Sequence, residues 1–206
     1  MPRNPKSAIR HPKLILASAS PRRAEILTSL GIPFVAMATD IPEEPLPGET
    51  AEAAAVRLAA EKAARVAARE PESWVLAADT LVFLDGAILG KPRDDREAEA
   101  MLRQLSGRKH GVVTAVHLER GERRCLVEAS SVRFAPMTDE EIRWYVATGE
   151  PRDKAGAYGI QGLGARFIEE IHGSFTNVMG LPARAVYRLL RDAPDPALSL
   201  LALSSG

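Results

Sequence analysis

A short apolar run, Leu14-Ile15-Leu16-Ala17, passes without a spacer into Ser18-Ala19-Ser20-Pro21-Arg22-Arg23 and then into a helical pattern. This junction constrains the fold more than any other stretch. Ser20 is a strong candidate N-cap, because a serine hydroxyl can accept a hydrogen bond from a free first-turn amide. Pro21 then falls at the first helical position, where its missing N–H costs nothing and its fixed φ suits the helix. Arg23, Ile26, Leu27 and Leu30 follow at helical spacing, and Gly31 stands where a C-terminal cap belongs. The junction therefore gathers free amides, the hydroxyls of Ser18 and Ser20, and the guanidinium groups of Arg22 and Arg23 at a strand end. Helix N-termini attract anions, and arginine pairs with phosphate oxygens bidentately. The expectation is a phosphate grip. A well-capped helix with two surface arginines is the other reading of the same residues.

Bulk properties narrow the partners. The 206 residues suffice for one large domain with a substantial core. Lys and Arg number 27, as do Asp and Glu, so the formal net charge is zero. A binder of nucleic acid polymers would carry a basic excess, so that class is set aside. No apolar run approaches the roughly 18 residues of a membrane span. The segment Met1 to Pro12 is basic and lacks a secretory core, and reads as a flexible extension. Cys125 is the sole cysteine, which excludes an internal disulfide and fits a reducing cytoplasm. His11, His110, His117 and His172 show no metal-ligand spacing.

Strand and helix signals alternate, which predicts an α/β fold. Phe34 to Ala38 reads as a strand, followed by the proline-rich acidic loop from Asp40 to Gly48. A long alanine-rich helix is expected from about Thr50 to Arg69, then an apolar strand from Trp74 to Ala78 ending at Asp79. Leu81 to Leu84 and Ala87 to Leu89 form a hairpin around Asp85-Gly86. His110 to Arg120 and Arg123 to Phe134 read as longer strands joined near Gly121. Thr138-Asp139-Glu140-Glu141 resembles a capping box. A short strand from Arg166 to Ile171 and a helix from about Leu181 to Leu190 close a single domain over residues 13–191. Residues 192–206 are expected to be a flexible tail.

Five groups of residues could carry chemistry. Asp79 closes an apolar strand, the edge at which open α/β sheets bind ligands, and no helix follows for it to cap. A carboxylate there can take a proton from water or hold a metal. Lys91 is brought beside Asp79 by hairpin register, since the Asp85-Gly86 turn sets Thr80 opposite Lys91. Lys62 shares a helix face with Leu58, Ala59 and Val66, so it must snorkel or find an anion. Glu43 and Glu44 lie in the proline-stiffened loop, and either could ligate a hard cation if the loop folds over the arginines. Finally, Asp153 to Gly162 is rich in small residues that allow close backbone approach to a ligand. Within it Gln161 carries both a donor and an acceptor for a base edge, and Tyr158 fits the core better than a stacking role.

Together these segments resemble the Maf family of nucleoside triphosphate pyrophosphatases. The matching stretches are Ser18 to Arg23, Ala78-Asp79-Thr80, Gly90-Lys91-Pro92-Arg93, Asp153 to Gly164, and Gly173 to Pro182, in order over about residues 13 to 190. The resemblance implies an elongated mixed β-sheet flanked by helices, with two lobes around a central cleft. It implies hydrolysis of a nucleoside triphosphate to the monophosphate and pyrophosphate with a divalent metal, Mg²⁺ or Mn²⁺. Tyr158-Gly159-Ile160-Gln161-Gly162 resembles the branch acting on dTTP and UTP. By that resemblance Asp79 is the proton acceptor, and Arg22, Thr80 and Gln161 set specificity. Arg23, Glu43, Lys62 and Lys91 match the remaining active-site positions, which selects Glu43 over Glu44 as the metal carboxylate beside Asp79. Ser18, Ser20, Arg23, Lys62 and Lys91 are the expected phosphate contacts. The competing readings are a non-catalytic nucleotide-binding regulator of cell division and a 7-methyl-GTP pyrophosphatase. A homodimer is the remaining partner expectation.

Overall fold

The computed structural model describes residues 14–202, so the extension expected over Met1 to Pro12 lies outside the described residues. β1 (Leu14–Leu16) runs into α1 (Pro21–Ser29), with Pro21 in the first turn and Gly31 at φ +68° just past the end. β2 (Val35–Ala36) returns alongside β1, and α2 (Ala51–Ala67) follows, capped by the Thr50 side chain. β3 (Trp74–Leu84) and β4 (Ala87–Leu89) form the expected hairpin, with Asp85 and Gly86 both at positive φ. That is the turn whose twist suits a two-residue loop, and the pairing of Val82 with Leu89 keeps the expected register.

α3 (Asp95–Leu105) leads to the long antiparallel pair β5 (Lys109–Arg120) and β6 (Glu122–Phe134), joined at Gly121. α4 (Asp139–Ala147) opens with a complete capping box from Thr138 and Glu141. Three short 3-10 segments, Glu150–Asp153, Ala155–Ala157 and Gly162–Phe167, precede β7 (Ile168–His172). α5 (Phe175–Met179), α6 (Ala183–Arg191) and α7 (Pro196–Leu201) complete the described chain. The fold is α/β: one mixed sheet in the order β2-β1-β3-β5-β6-β7, with β4 on β3 and helices on both faces.

The tail expectation fails over residues 196–201. Leu198 and Leu201 of α7 are buried in the same core as Trp74 and Leu190. Asp195 caps the helix through the Ala197 amide and also accepts from Trp74 Nε1 at 3.0 Å. Small polar residues around two leucines hid a docked amphipathic turn.

A polar layer crosses the sheet and divides its core. On one face, Ala78 and Val116 belong to the cluster under α1 and α6, while Val82 and Val112 belong to the cluster under α3 and α4. Between them stand Thr80 and Thr114, directly paired across β3 and β5. On the other face, Ala77 packs with Ala63 and Val66, and Leu81 packs with Ala55 and Ala59. Between those stand Asp79 and Lys62. Alternation along β3 sends Asp79 and Thr80 to opposite faces at the same level. The two lobes are the hydrophobic bodies on either side of this layer.

Candidate active site

Asp79 does not end a strand. It lies in the middle of β3, because Trp74–Ala78 and Leu81–Leu84 are one continuous strand. The opening comes instead from the neighbours. β1 pairs with β3 only up to Leu76, and β4 pairs only from Val82 onward. Between those two partners the same edge of β3 is free of strands at Asp79 and Thr80, and a cleft of about 360 Å³ enters there. Its walls include Ser18, Ser20, Arg22, Arg23, Glu43, Lys62, Lys91, Asp153 and Gln161. The junction, the acidic loop, α2, the hairpin and the glycine-rich loop therefore meet in one cavity.

Lys62 finds its anion. Its ammonium lies 2.5 Å from Asp79 Oδ1 and 2.6 Å from Glu43 Oε1, and its side chain is 5% exposed. Lys91 does not pair with Asp79 as the hairpin register predicts. Its ammonium binds Glu43 Oε2 at 2.7 Å. The reason is that β4 stops at Leu89, and the Gly90 carbonyl turns away to accept from the Gly156 amide. Glu43 thus bridges the two lysines. Burial pushes the Asp79 carboxyl above its usual range, against the pull of Lys62 and Arg23. Partial burial also pushes Glu43 up, but the bonds from Lys62 and Lys91 bring it down to about 2.

The arginines divide their work. Arg23 is buried, donating Nε to the Gly180 carbonyl at 2.9 Å, Nη1 to Ser18 Oγ at 3.3 Å and Nη2 to Thr80 Oγ1 at 3.3 Å. It ties α1 to β3 and α5, so three donors expected to face phosphate are already engaged. Arg22 is half-buried on the cleft wall and is the guanidinium left facing it. The Ser20 hydroxyl makes no capping bond. Ser18 Oγ instead accepts from the amide of the N-cap residue itself, Ser20, at 3.1 Å.

Thr80 Oγ1 lies 2.9 Å from Thr114 Oγ1, and Thr114 donates to the Asn177 carbonyl at 3.1 Å. Sequence reasoning missed Thr114 and Asn177, both fully buried. Tyr158 is a core residue, as expected, its hydroxyl 2.8 Å from His110 Nε2. Gln161 is exposed and lines the cleft. Cys125 is an exposed residue of β6 with no place in this cavity.

The acidic groups can be tested against a divalent cation. Among the described residues no cluster of three or more His, Cys, Asp and Glu side chains is placed to hold a metal. Glu43 and Asp79 nevertheless offer hard oxygens on either side of Lys62. Mg²⁺ is commonly held by one or two carboxylates together with substrate phosphates, not by an all-protein cage. The donor set fits an ion that enters with a phosphorylated ligand.

Known proteins share this chain's sequence over nearly its whole length. A dTTP/UTP pyrophosphatase of Symbiobacterium thermophilum is 50% identical over 179 residues, covering 86% of this chain and 92% of that one. One from Myxococcus xanthus is 51% identical over 183 residues, covering 89% and 93%. One from Geobacter metallireducens is 50% identical over 182 residues, covering 87% and 95%. Among solved structures, the Ham1 protein of Staphylococcus aureus aligns with a TM-score of 0.46 at 15% identity, covering 93% of this chain and 96% of that one. The family described as Maf-like protein matches residues 13–193, the span that builds the sheet and every wall of the cleft, and the chain belongs to that family.

Proposed function

We propose that this protein hydrolyses dTTP and UTP to the nucleoside monophosphate and pyrophosphate. The observation that carries the reading is the Asp79 carboxylate, buried at the strand-free edge of β3 beside the Lys62 ammonium. Relatives of about 50% identity bearing the name dTTP/UTP pyrophosphatase support the substrate class.

In this mechanism the triphosphate lies along Arg22, Lys91, Lys62 and the first-turn amides of α1, with the buried charge of Arg23 behind them. Ser18 and Ser20 line the same wall. Asp79 orients a water and takes its proton as the water oxygen bonds to the α-phosphorus. The bond from the α-phosphorus to its bridging oxygen breaks, and pyrophosphate leaves with the electron pair. A carboxylate held above its usual range is, in its ionised form, a better base than an ordinary aspartate. Positioning and electrostatics supply most of the acceleration in such transfers. Glu43 and Asp79 would hold the divalent cation, Mg²⁺ or Mn²⁺, which when bound offsets charge on the phosphate oxygens. Gln161 reads the O4/N3 edge shared by thymine and uracil, with Thr80 and Arg22 shaping the adjoining wall.

Pyrophosphate release measured with Mg²⁺ across dTTP, UTP, CTP and 7-methyl-GTP tests the reading. Preferred turnover of dTTP and UTP is expected. A preference for 7-methyl-GTP, or nucleotide binding without any release, would overturn it.

A further inference from the structure

The loop that presents Gln161 is held from outside the cleft by two residues, Glu150 and Tyr145, neither of which lines it. Glu150 opens the 3-10 segment after α4, directly behind Gly149 at φ +77°. Its Oε1 accepts from the Tyr145 hydroxyl at 2.8 Å and from the Gly164 amide at 3.0 Å. Its Oε2 accepts from the Leu163 amide at 2.9 Å. The Tyr145 oxygen in turn accepts from the Gly159 amide at 3.1 Å. One carboxylate and one phenol therefore fix the backbone on both sides of Gln161.

The glycines of this loop acquire a reason. A Cβ at Gly162 would lie 2.7 Å from Glu150 Oε2, and one at Gly164 would lie 2.5 Å from the Tyr145 oxygen. One at Gly159 would lie 3.2 Å from Glu150 Oε1. The close backbone approach that small residues allow is made to this clamp. Gln161 itself sits in extended backbone, φ −98° and ψ 153°, and its amide makes no hydrogen bond to the described residues. No side-chain bond among the described residues orients it, so the loop backbone is what fixes where the side chain starts.

We propose that Glu150, acting with Tyr145, is a positioning residue for base selection: the clamp fixes the angle at which the Gln161 amide meets the pyrimidine. The proposal rests on the reading that Gln161 contacts the base. Tyr145 is fully buried, with its ring 5.4 Å from that of Phe167, so the phenol is a rigid post. Partial burial pushes the Glu150 carboxyl up, but the Leu163 and Gly164 amides and the Tyr145 hydroxyl hold it below its usual range. It is ionised at neutral pH and acts purely as an acceptor. Three charge-assisted bonds on one small loop are a strong restraint compared with neutral ones.

Two variants and a double-mutant cycle test this. Glu150→Gln keeps the shape but places an NH₂ group against amide donors, and Tyr145→Phe removes the phenol with the ring retained. Each is expected to lower the ratio of kcat/KM for dTTP over CTP roughly three- to tenfold, the size of a misdirected hydrogen bond. In a Gln161→Ala background neither is expected to lower the ratio further, because the clamp acts through that amide. Hydrogen exchange of the Leu163 and Gly164 amides should be slow in the native chain and faster in Glu150→Gln. An unchanged ratio in folded variants, an equal fall without Gln161, or fast exchange of both amides in the native chain would overturn the clamp. Those outcomes differ from loss of pyrimidine preference in the native chain, which overturns the underlying reading and the clamp with it.

Discussion

The Lys62 ammonium and the Asp79 carboxylate meet at 2.5 Å on the buried face of β3, and Glu43 closes on the same ammonium from the loop above. Two carboxylates on one buried cation make a charge-paired floor for the cleft, and under the proposed function an incoming triphosphate would have to rearrange it. Lys62 can turn toward phosphate only if its carboxylates gain another cation or a proton. In that reading substrate entry would be linked to release of the Asp79 oxygens.

Asp79→Asn should fold and lose at least about 10²-fold in kcat, the lower end of what a general base contributes. Initial rates of pyrophosphate release from dTTP check this, with near-native turnover excluding Asp79 as the base. In the native chain Asp79 must be ionised to act, and burial holds its pKa above the usual carboxylate range. The acid limb of kcat/KM against pH should therefore lie above that range. A limb at ordinary aspartate values would contradict the assignment.

Lys62→Met removes the cation that opposes the effect of burial on Asp79. The acid limb should move to still higher pH, and turnover at neutral pH should fall at least about tenfold through loss of ionised base. Lys62→Arg, which keeps the charge, should bring the limb back toward its native position. The pH profile of each variant decides the matter, since a limb that stays in place would separate Lys62 from Asp79.

Gln161→Ala should erode the preference for dTTP and UTP over CTP. Cytosine reverses the donor and acceptor at the edge that thymine and uracil share, so one amide can tell them apart. Competition between substrates in a single reaction gives the ratio of kcat/KM directly. A ratio equal to that of the native chain would place base reading elsewhere.

Leu198→Ala should destabilise the fold by about 2–5 kcal/mol, because the side chain is fully buried in the core shared by Trp74 and Leu190. Denaturant unfolding followed by tryptophan fluorescence would report it, since the Trp74 indole donates to Asp195 at the start of α7. A change under about 0.5 kcal/mol, the range of ordinary surface substitutions, would mean that α7 does not hold to the core.

Much of the scaffold was legible because its causes are local. Asp85-Gly86 specifies its turn by backbone preference alone, and register follows from the turn. Thr138 and Glu141 announce a helix start, and Pro21 and Gly31 bracket α1. Asp79 stood out as an acid after an apolar run. The pairing of Lys91 was misjudged because β4 leaves the ladder at Gly90, which no short-range rule anticipates. Arg23 looked like a free phosphate hand. Its partner at Gly180 lies 157 positions away, so its burial had no local signal.

The amino-acid order by itself placed most strands, turns and helices, though it ended a strand at Asp79 and missed α7, and it offered the acid, cations and amide that the proposed mechanism uses. Those are short-range matters of φ/ψ preference, capping and periodicity. Tertiary structure decided which of these groups share a cavity. β1 and β4 cover opposite ends of β3 and leave Asp79 and Thr80 at an open edge. The clamp from Glu150 aims a loop it never joins in the cleft. Such placements depend on where several elements stop and how they pack, so they exist only in the assembled fold.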